Sequence, residues 1–188
     1  MSPLLYISII FLWGFTWFAI KTQVGVVPIE ISLIYRFALA AAIIGIIMLI
    51  KRDSFKFNIK QHAMMALFGS LFFSTNFFFF YNSAHYLTSG LMAIILSTSV
   101  IMVMVNNFLF LRKPVKLVML IGAIVGISGL GFIFWPELEA FDLTDNTFLG
   151  LVLALLGAYC FAWASFISTV CTRMSIPLIS RTFYGMVY

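Results

Sequence analysis

Arg36 places a full positive charge inside an apolar run, at the eighth position of the stretch 29–50. On a helix rising about 1.5 Å per residue, that is roughly 10 Å below the nearer end. A guanidinium at such depth in a bilayer costs about 2.5–3.5 kcal/mol, so it must face a cavity or a partner. The functional reading is contact with an anionic substrate, or gating. The structural reading is a pair with Glu30, or a side chain snorkelling to the headgroups. Glu30 lies six positions away, off the ideal spacing for a helical pair. Asn76, Tyr81 and Asn82 in a later run, with Ser97 and Thr98 in the next, are polar groups that must bond to neighbouring helices or line a cavity. Asn76 sits near the middle of its run and is the preferred cavity residue. Trp13 and Trp17, four apart, share a helix face and offer π-surfaces for a ring or a cation, or for ordinary packing. Glu30 and His85 are the titratable groups near run ends that suit proton coupling, His because it titrates near neutral pH. The alternative for both is a wet interfacial position.

These residues ride on six long apolar runs: 3–20, 29–50, 63–83, 88–111, 115–135 and 147–170. Each is long enough to cross a hydrocarbon core of roughly 30 Å. Apolar residues make up 63% of the 188-residue chain and charged residues 9%, which excludes an ordinary soluble domain. The charges sort by loop. Lys51, Arg52, Lys56 and Lys60 follow run two; Arg112, Lys113 and Lys116 follow run four; Arg173 and Arg181 follow run six. The loop after run five holds Glu137, Glu139, Asp142 and Asp145 and no base. The positive-inside rule puts the basic loops and the N-terminus in the cytoplasm and the acidic loop outside. The bases therefore read as topology signals and lipid-headgroup contacts, and no nucleic-acid partner is expected. The first run lacks a basic leader and a small-x-small cleavage site, so it is expected to stay as a helix.

Motifs for enzyme chemistry are missing: no HExxH, GxSxG or phosphate-cradling glycine loop occurs. No metal-ligand spacing is present, and neither metal nor cofactor is expected. Cys160 and Cys171, eleven apart, would stand about 16 Å apart along one helix, too far for a disulfide. Gly122, Gly126 and Gly129 form a small-residue stripe suited to close helix packing, between repeats, between chains or within one repeat. The block Phe77–Phe80 covers every face of a turn and reads as lipid contact and packing.

A loose repeat is visible. Trp13-Gly14-Phe15-Thr16-Trp17 matches Tyr159-Cys160-Phe161-Ala162-Trp163, and Pro28 precedes Tyr35 by seven residues as Pro177 precedes Tyr184. Five helices separate the copies, so the two would be inverted in the membrane, a common carrier architecture.

With these residues on the page, the chain resembles the EamA type of the drug/metabolite transporter superfamily. The matching features are Trp13-Gly14 with Thr16 and Trp17, Pro28 then Arg36, Asn76 with Phe80-Tyr81 and Ala84, and Gly122-Ala123 with Gly129. The resemblance is good over 3 to about 135 and partial over 147–188. Departures are Ser97-Thr98-Ser99 where the family often has a proline, and Arg112-Lys113 where it often has Gly-Glu. The resemblance implies an all-α, polytopic membrane bundle of six transmembrane helices plus a partial seventh. Residues 1–141 would form the first five-helix repeat and 142–188 the start of a truncated second. It implies a non-enzymatic secondary carrier of small organic metabolites, such as amino acids or drugs, working by alternating access and exporting, in a bacterial inner membrane. The candidate substrate-binding set is Trp13, Thr16, Trp17, Arg36, Asn76 and Tyr81; Glu30 and His85 are candidates for proton coupling; Gly14 joins Gly122, Gly126 and Gly129 as packing residues. The expected partners are the lipid bilayer, a small-molecule substrate, and a second copy or another chain supplying missing helices. The alternatives are a half-carrier or assembly subunit, or a truncated inactive product.

Overall fold

The computed structural model describes residues 3–23, 28–141 and 145–188, with the side chains of 16–23, 29 and 145 excepted. Among these residues the chain is all helix: α1 (Pro3–Gln23), α2 (Ile29–Lys51), α3 (Ile59–Gly69), a π-helical segment (Ser70–Thr75), α4 (Asn76–Ser83), α5 (Ser89–Leu111), α6 (Leu117–Ile133), α7 (Trp135–Glu139), α8 (Asp145–Arg173) and α9 (Leu178–Val187). The prolines explain the phrasing. Pro3, Pro28, Pro114, Pro136 and Pro177 all stand at or before a helix start, where a missing N–H costs nothing. Asn58 and Gln61 close α3 with a reciprocal cap: the Gln61 N–H donates to Asn58 Oδ1 (2.8 Å) and the Asn58 N–H to Gln61 Oε1 (2.9 Å). Arg52 and Arg112 end α2 and α5 in the left-handed conformation, at φ 55° and 51°.

Four stretches are long and apolar enough to cross a bilayer: Glu30–Lys51, Ile59–Ser83, Ser89–Leu111 and Asn146–Arg173. Pro3–Phe15 and Leu117–Ile133 are shorter apolar helices. The fifth apolar run does not continue as one helix, because Phe134 leaves helical geometry and α7 starts anew at Trp135, with Pro136 in its first turn.

Helix α8 is the hub. It packs along α3, the π segment and α4 on one side and α5 on the other, while α9 turns back across α2 and α3. The main core joins Met65, Phe68 and Phe73 to Ala164, Phe166, Ile167, Cys171 and Ile176. A second core joins Phe80, Leu87, Leu91, Met92 and Ile95 to Ala154 and Ala158. Both cores therefore need the segment after residue 144. Facing outward are the large apolar side chains of α1 and α6, such as Phe11, Leu12, Val118 and Phe132, as a lipid-facing surface requires.

The glycines in contact are not those of the expected stripe. A Cβ added at Gly14, Gly122, Gly126 or Gly129 would meet nothing within 4 Å. Close approach occurs instead at Gly157, where a Cβ would fall 2.9 Å from the Phe80 ring and 3.2 Å from the Asn76 carbonyl oxygen. It occurs again where Gly69 of α3 crosses Gly185 of α9, backbone against backbone.

Candidate functional site

The third apolar run holds the widened turn that shapes the site. In a π turn, i→i+5 bonding takes up an extra residue, so the helix face after it is shifted relative to an uninterrupted α-helix. Phe72 and Phe73 lie in that turn, and Asn76, Phe77 and Phe80 follow it. All five line one cavity of about 320 Å³. Its other walls are Trp13 of α1, Arg36, Phe37 and Ala40 of α2, Leu96 of α5, Phe161 of α8 and Met186 of α9.

The walls are rings packed against one another. Phe37 meets Phe73 at 5.1 Å and Phe77 at 5.4 Å, and Phe72 meets Phe161 at 5.3 Å. Trp13 meets Phe161 edge-on at 6.4 Å and 89°. This contact joins the two copies of the aromatic motif found in the sequence. The Arg36 guanidinium lies over the Phe77 ring at 4.9 Å and the Phe37 ring at 5.4 Å. No carboxylate reaches it among the described residues, so the pair with Glu30 does not form. Asn76 is 3% exposed, and its Oδ1 has no hydrogen-bond partner. A buried amide oxygen left unpaired costs about 1–3 kcal/mol.

Three expected residues, Trp13, Arg36 and Asn76, thus converge on one cavity. Tyr81 does not line it and is buried against Leu33, Phe37 and Phe77. The side chains of Thr16 and Trp17 lie outside the described residues. Glu30 and His85 are exposed and do not line the cavity; His85 rests against Tyr86. The chain covers Asn76 itself, through Gly157 of α8. The block Phe77–Phe80 also divides: Phe77 and Phe80 face the cavity while Phe78 is exposed.

The sequence reading missed Phe37, Ala40, Phe72, Phe73, Leu96, Phe161 and Met186 as lining residues. The repeat carried part of that signal. Phe37 and Met186 each stand nine residues after the matched prolines, and both face the cavity. In the same alignment Arg36 corresponds to Gly185, so only one copy brings a charge.

Arg181 is a further correction. Read from sequence as a base at the cytoplasmic face, it is 5% exposed. Its Nη1 donates to the Ser168 carbonyl and to Thr172 Oγ1 (3.0 Å), and its guanidinium lies 5.6 Å from the Phe68 ring centre. A cation beside the last-turn carbonyls of α8 is favoured by the helix dipole and ties α9 to that end. Nearby, the Tyr184 hydroxyl donates to the Phe55 carbonyl (3.0 Å), Gln61 Nε2 donates to the Met174 carbonyl (3.3 Å), and His62 Nδ1 lies 2.5 Å from Tyr188 Oη. These bonds fasten α9 and the α8–α9 turn to the start of α3.

An aromatic cavity inside a bundle of membrane-length helices, reached by both copies of a repeat, fits a carrier, and the family comparison agrees. Residues 1–135 match the EamA-like transporter family. The chain belongs to that family. This EamA-like chain is an integral membrane protein by its family and its apolar helices. Among its relatives is Protein PagO of Salmonella typhimurium, 27% identical over 185 residues, covering 96% of this chain and 59% of PagO. Proteins named uncharacterized transporter are also similar. The one from Buchnera aphidicola is 24% identical over 83% of this chain and 54% of its own length. The one from Haemophilus influenzae is 24% identical over 78% of this chain and 48% of its own length. The chain spans about half to three-fifths of the length of these curated relatives. No solved structure matches it. The family and the relatives' names point to transport rather than catalysis.

Proposed function

We propose that the protein forms the substrate cavity of a secondary carrier for small organic metabolites, exporting them across a bacterial inner membrane by alternating access. The observation that carries this reading is the convergence of Trp13, Arg36 and Asn76 with Phe161 and Met186 on one cavity. Cavities of about 300–1,000 Å³, mostly apolar with few polar groups, suit small ligands. The family supplies the carrier class, and bacterial relatives support the membrane.

In this reading the described helices make six transmembrane segments, the rod Ile59–Ser83 counting once, and α9 is the start of a seventh. Residues 1–141 are the first repeat, and 142–188 begin the inverted second. The N-terminus is cytoplasmic, so α9 closes the cavity's inner end where it crosses α3 at Gly69 and Gly185. Opening inward requires α9 to lift from that crossing. The α3–α4 rod is a natural place for bending, because π turns break the regular i→i−4 ladder.

The test is metabolite profiling of the medium of cells expressing the wild-type chain or Ala40→Trp, which fills the cavity from α2. At matched membrane abundance, at least one small organic compound should accumulate outside with the wild type only. Identical profiles would overturn the carrier reading.

A second reading is a half-carrier that transports only with another chain or a second copy. The match covers 48–59% of each relative's own length, so what the whole carrier does is tested on this chain and on any complex it forms. Native mass spectrometry of the purified protein, paired with flux in liposomes, decides between them. Flux from a verified monomer supports a self-sufficient carrier, and flux confined to a complex supports the half-carrier.

A further inference from the structure

Arg36 is the one charged side chain lining the cavity among the described residues, and the lining contains no Asp, Glu, His or Lys. We propose that the cavity is selective for organic monoanions: a flat apolar body carrying one carboxylate-type group, in preference to cations and to zwitterionic amino acids. This rests on the carrier reading and specifies its substrate class.

Arg36 brings a guanidinium to the cavity, and no carboxylate among the described residues pairs with it. Arg36 is exposed at the cavity wall, and an anion there would be held through the fork geometry by which guanidinium groups hold carboxylates. A cationic ligand would meet like charge at short range. Aromatic walls alone would favour cations, since ring faces attract them. Here, however, Arg36 itself lies over the Phe37 and Phe77 rings, so those faces already carry a cation. The walls left open to a ligand include Trp13, Phe72 and Phe161, which offer flat apolar contact.

Asn76 adds the second discrimination. Its Oδ1 is unpaired, and the terminal torsion of an Asn side chain is broad enough to turn the amide toward a ligand. One neutral acceptor satisfies a single N–H or O–H on the ligand. It does not compensate the charge of an ammonium group, for which the lining provides no carboxylate. An amino acid would therefore bring its carboxylate to Arg36 and leave its ammonium poorly matched.

Four compounds of one size separate these terms: 3-phenylpropanoate, 3-phenylpropanamide, 3-phenylpropylamine and phenylalanine. Binding to the full chain in lipid nanodiscs is measured by calorimetry, for the wild type, Arg36→Gln and Ala40→Trp. For the wild type, the acid should bind at least about tenfold tighter than the amide or phenylalanine, with the amine weakest, because charge-assisted bonds are roughly twice as strong as neutral ones. Arg36→Gln should remove the advantage of the acid over the amide. Ala40→Trp should abolish binding of all four. If the amine or phenylalanine equals the acid, or if the acid keeps its advantage in Arg36→Gln, anion selectivity is overturned while the cavity stands as a binding site. If none of the four binds the wild type, or if binding survives Ala40→Trp, the cavity itself is not the ligand site and both readings fall.

Discussion

Gly185 of α9 and Gly69 of α3 touch through their backbones: a Cβ built on Gly185 would lie 3.2 Å from the Gly69 Cα and 3.1 Å from the Phe68 ring. A Cβ on Gly69 would press into the Gly185 peptide, where nothing flexible can move aside. The crossing lies directly before the π segment and next to Met186, which lines the cavity.

Gly69→Ala should therefore destabilise the protein by about 1–3 kcal/mol or more, the range for overpacked sites. Gly126→Ala, where a Cβ meets open space, should be neutral or raise stability by up to about 1 kcal/mol through helix propensity. Thermal melts in one detergent give both values. Equal melting temperatures for the two variants would show that the α3–α9 crossing is looser than described.

Arg181→Met should free α9 from the end of α8. Cys171 is fully buried in the main core, in the last turns of α8, and Cys160 is half-buried one helical stretch earlier. In a Cys160→Ser background, the rate at which a maleimide labels Cys171 should rise at least about tenfold in Arg181→Met, since charged hydrogen bonds contribute roughly 1.5–3 kcal/mol. Arg181→Lys should fall between. An unchanged rate in Arg181→Met would mean that packing alone holds α9.

Asn76→Leu separates stability from function. Leucine has the same branching and leaves no unpaired oxygen, so stability should hold or rise by up to about 1–3 kcal/mol, read from thermal melts. Export should nevertheless fall strongly, because the ligand loses the one amide partner in the lining among the described residues. Export at the wild-type level from Asn76→Leu would make Asn76 a packing residue.

Orientation is checked with single cysteines at Lys56 and Glu139, both exposed, in a background lacking Cys160 and Cys171. A membrane-impermeant maleimide on intact cells should label position 139 and reach position 56 only after lysis. The reverse pattern would invert the chain in the membrane.

The helices and three of the cavity residues were legible in the sequence for a common reason. Length, prolines at helix starts and isolated polar groups are one-dimensional signals, and Arg36 and Asn76 stand out because each is costly in an apolar run. The π turn left no such mark. Ser70–Thr75 mixes Leu71, Phe72 and Phe73 with Ser70, Ser74 and Thr75, a composition that suits an ordinary α-helical turn equally well. The Gly122–Gly129 stripe was equally legible and meets no neighbour within this chain, because a small-residue pattern says that helices can approach and not which ones do. Arg181 looked like its basic neighbours because a sequence shows a charge after a helix end, not whether the segment carrying it folds back onto that helix.

The shared core sets an order of assembly. Met65, Phe68 and Phe73 are made early, yet their partners Ala164, Phe166, Ile167 and Cys171 are made about a hundred residues later. At roughly 5–20 residues per second, the first helices wait on the order of 5–20 s for α8. During that interval their inner face, Asn76 included, has no covering helix from its own chain. Premature contacts among nascent helices are most costly then, so slowing translation ahead of α8 should lower the yield of folded protein more than slowing it after α9.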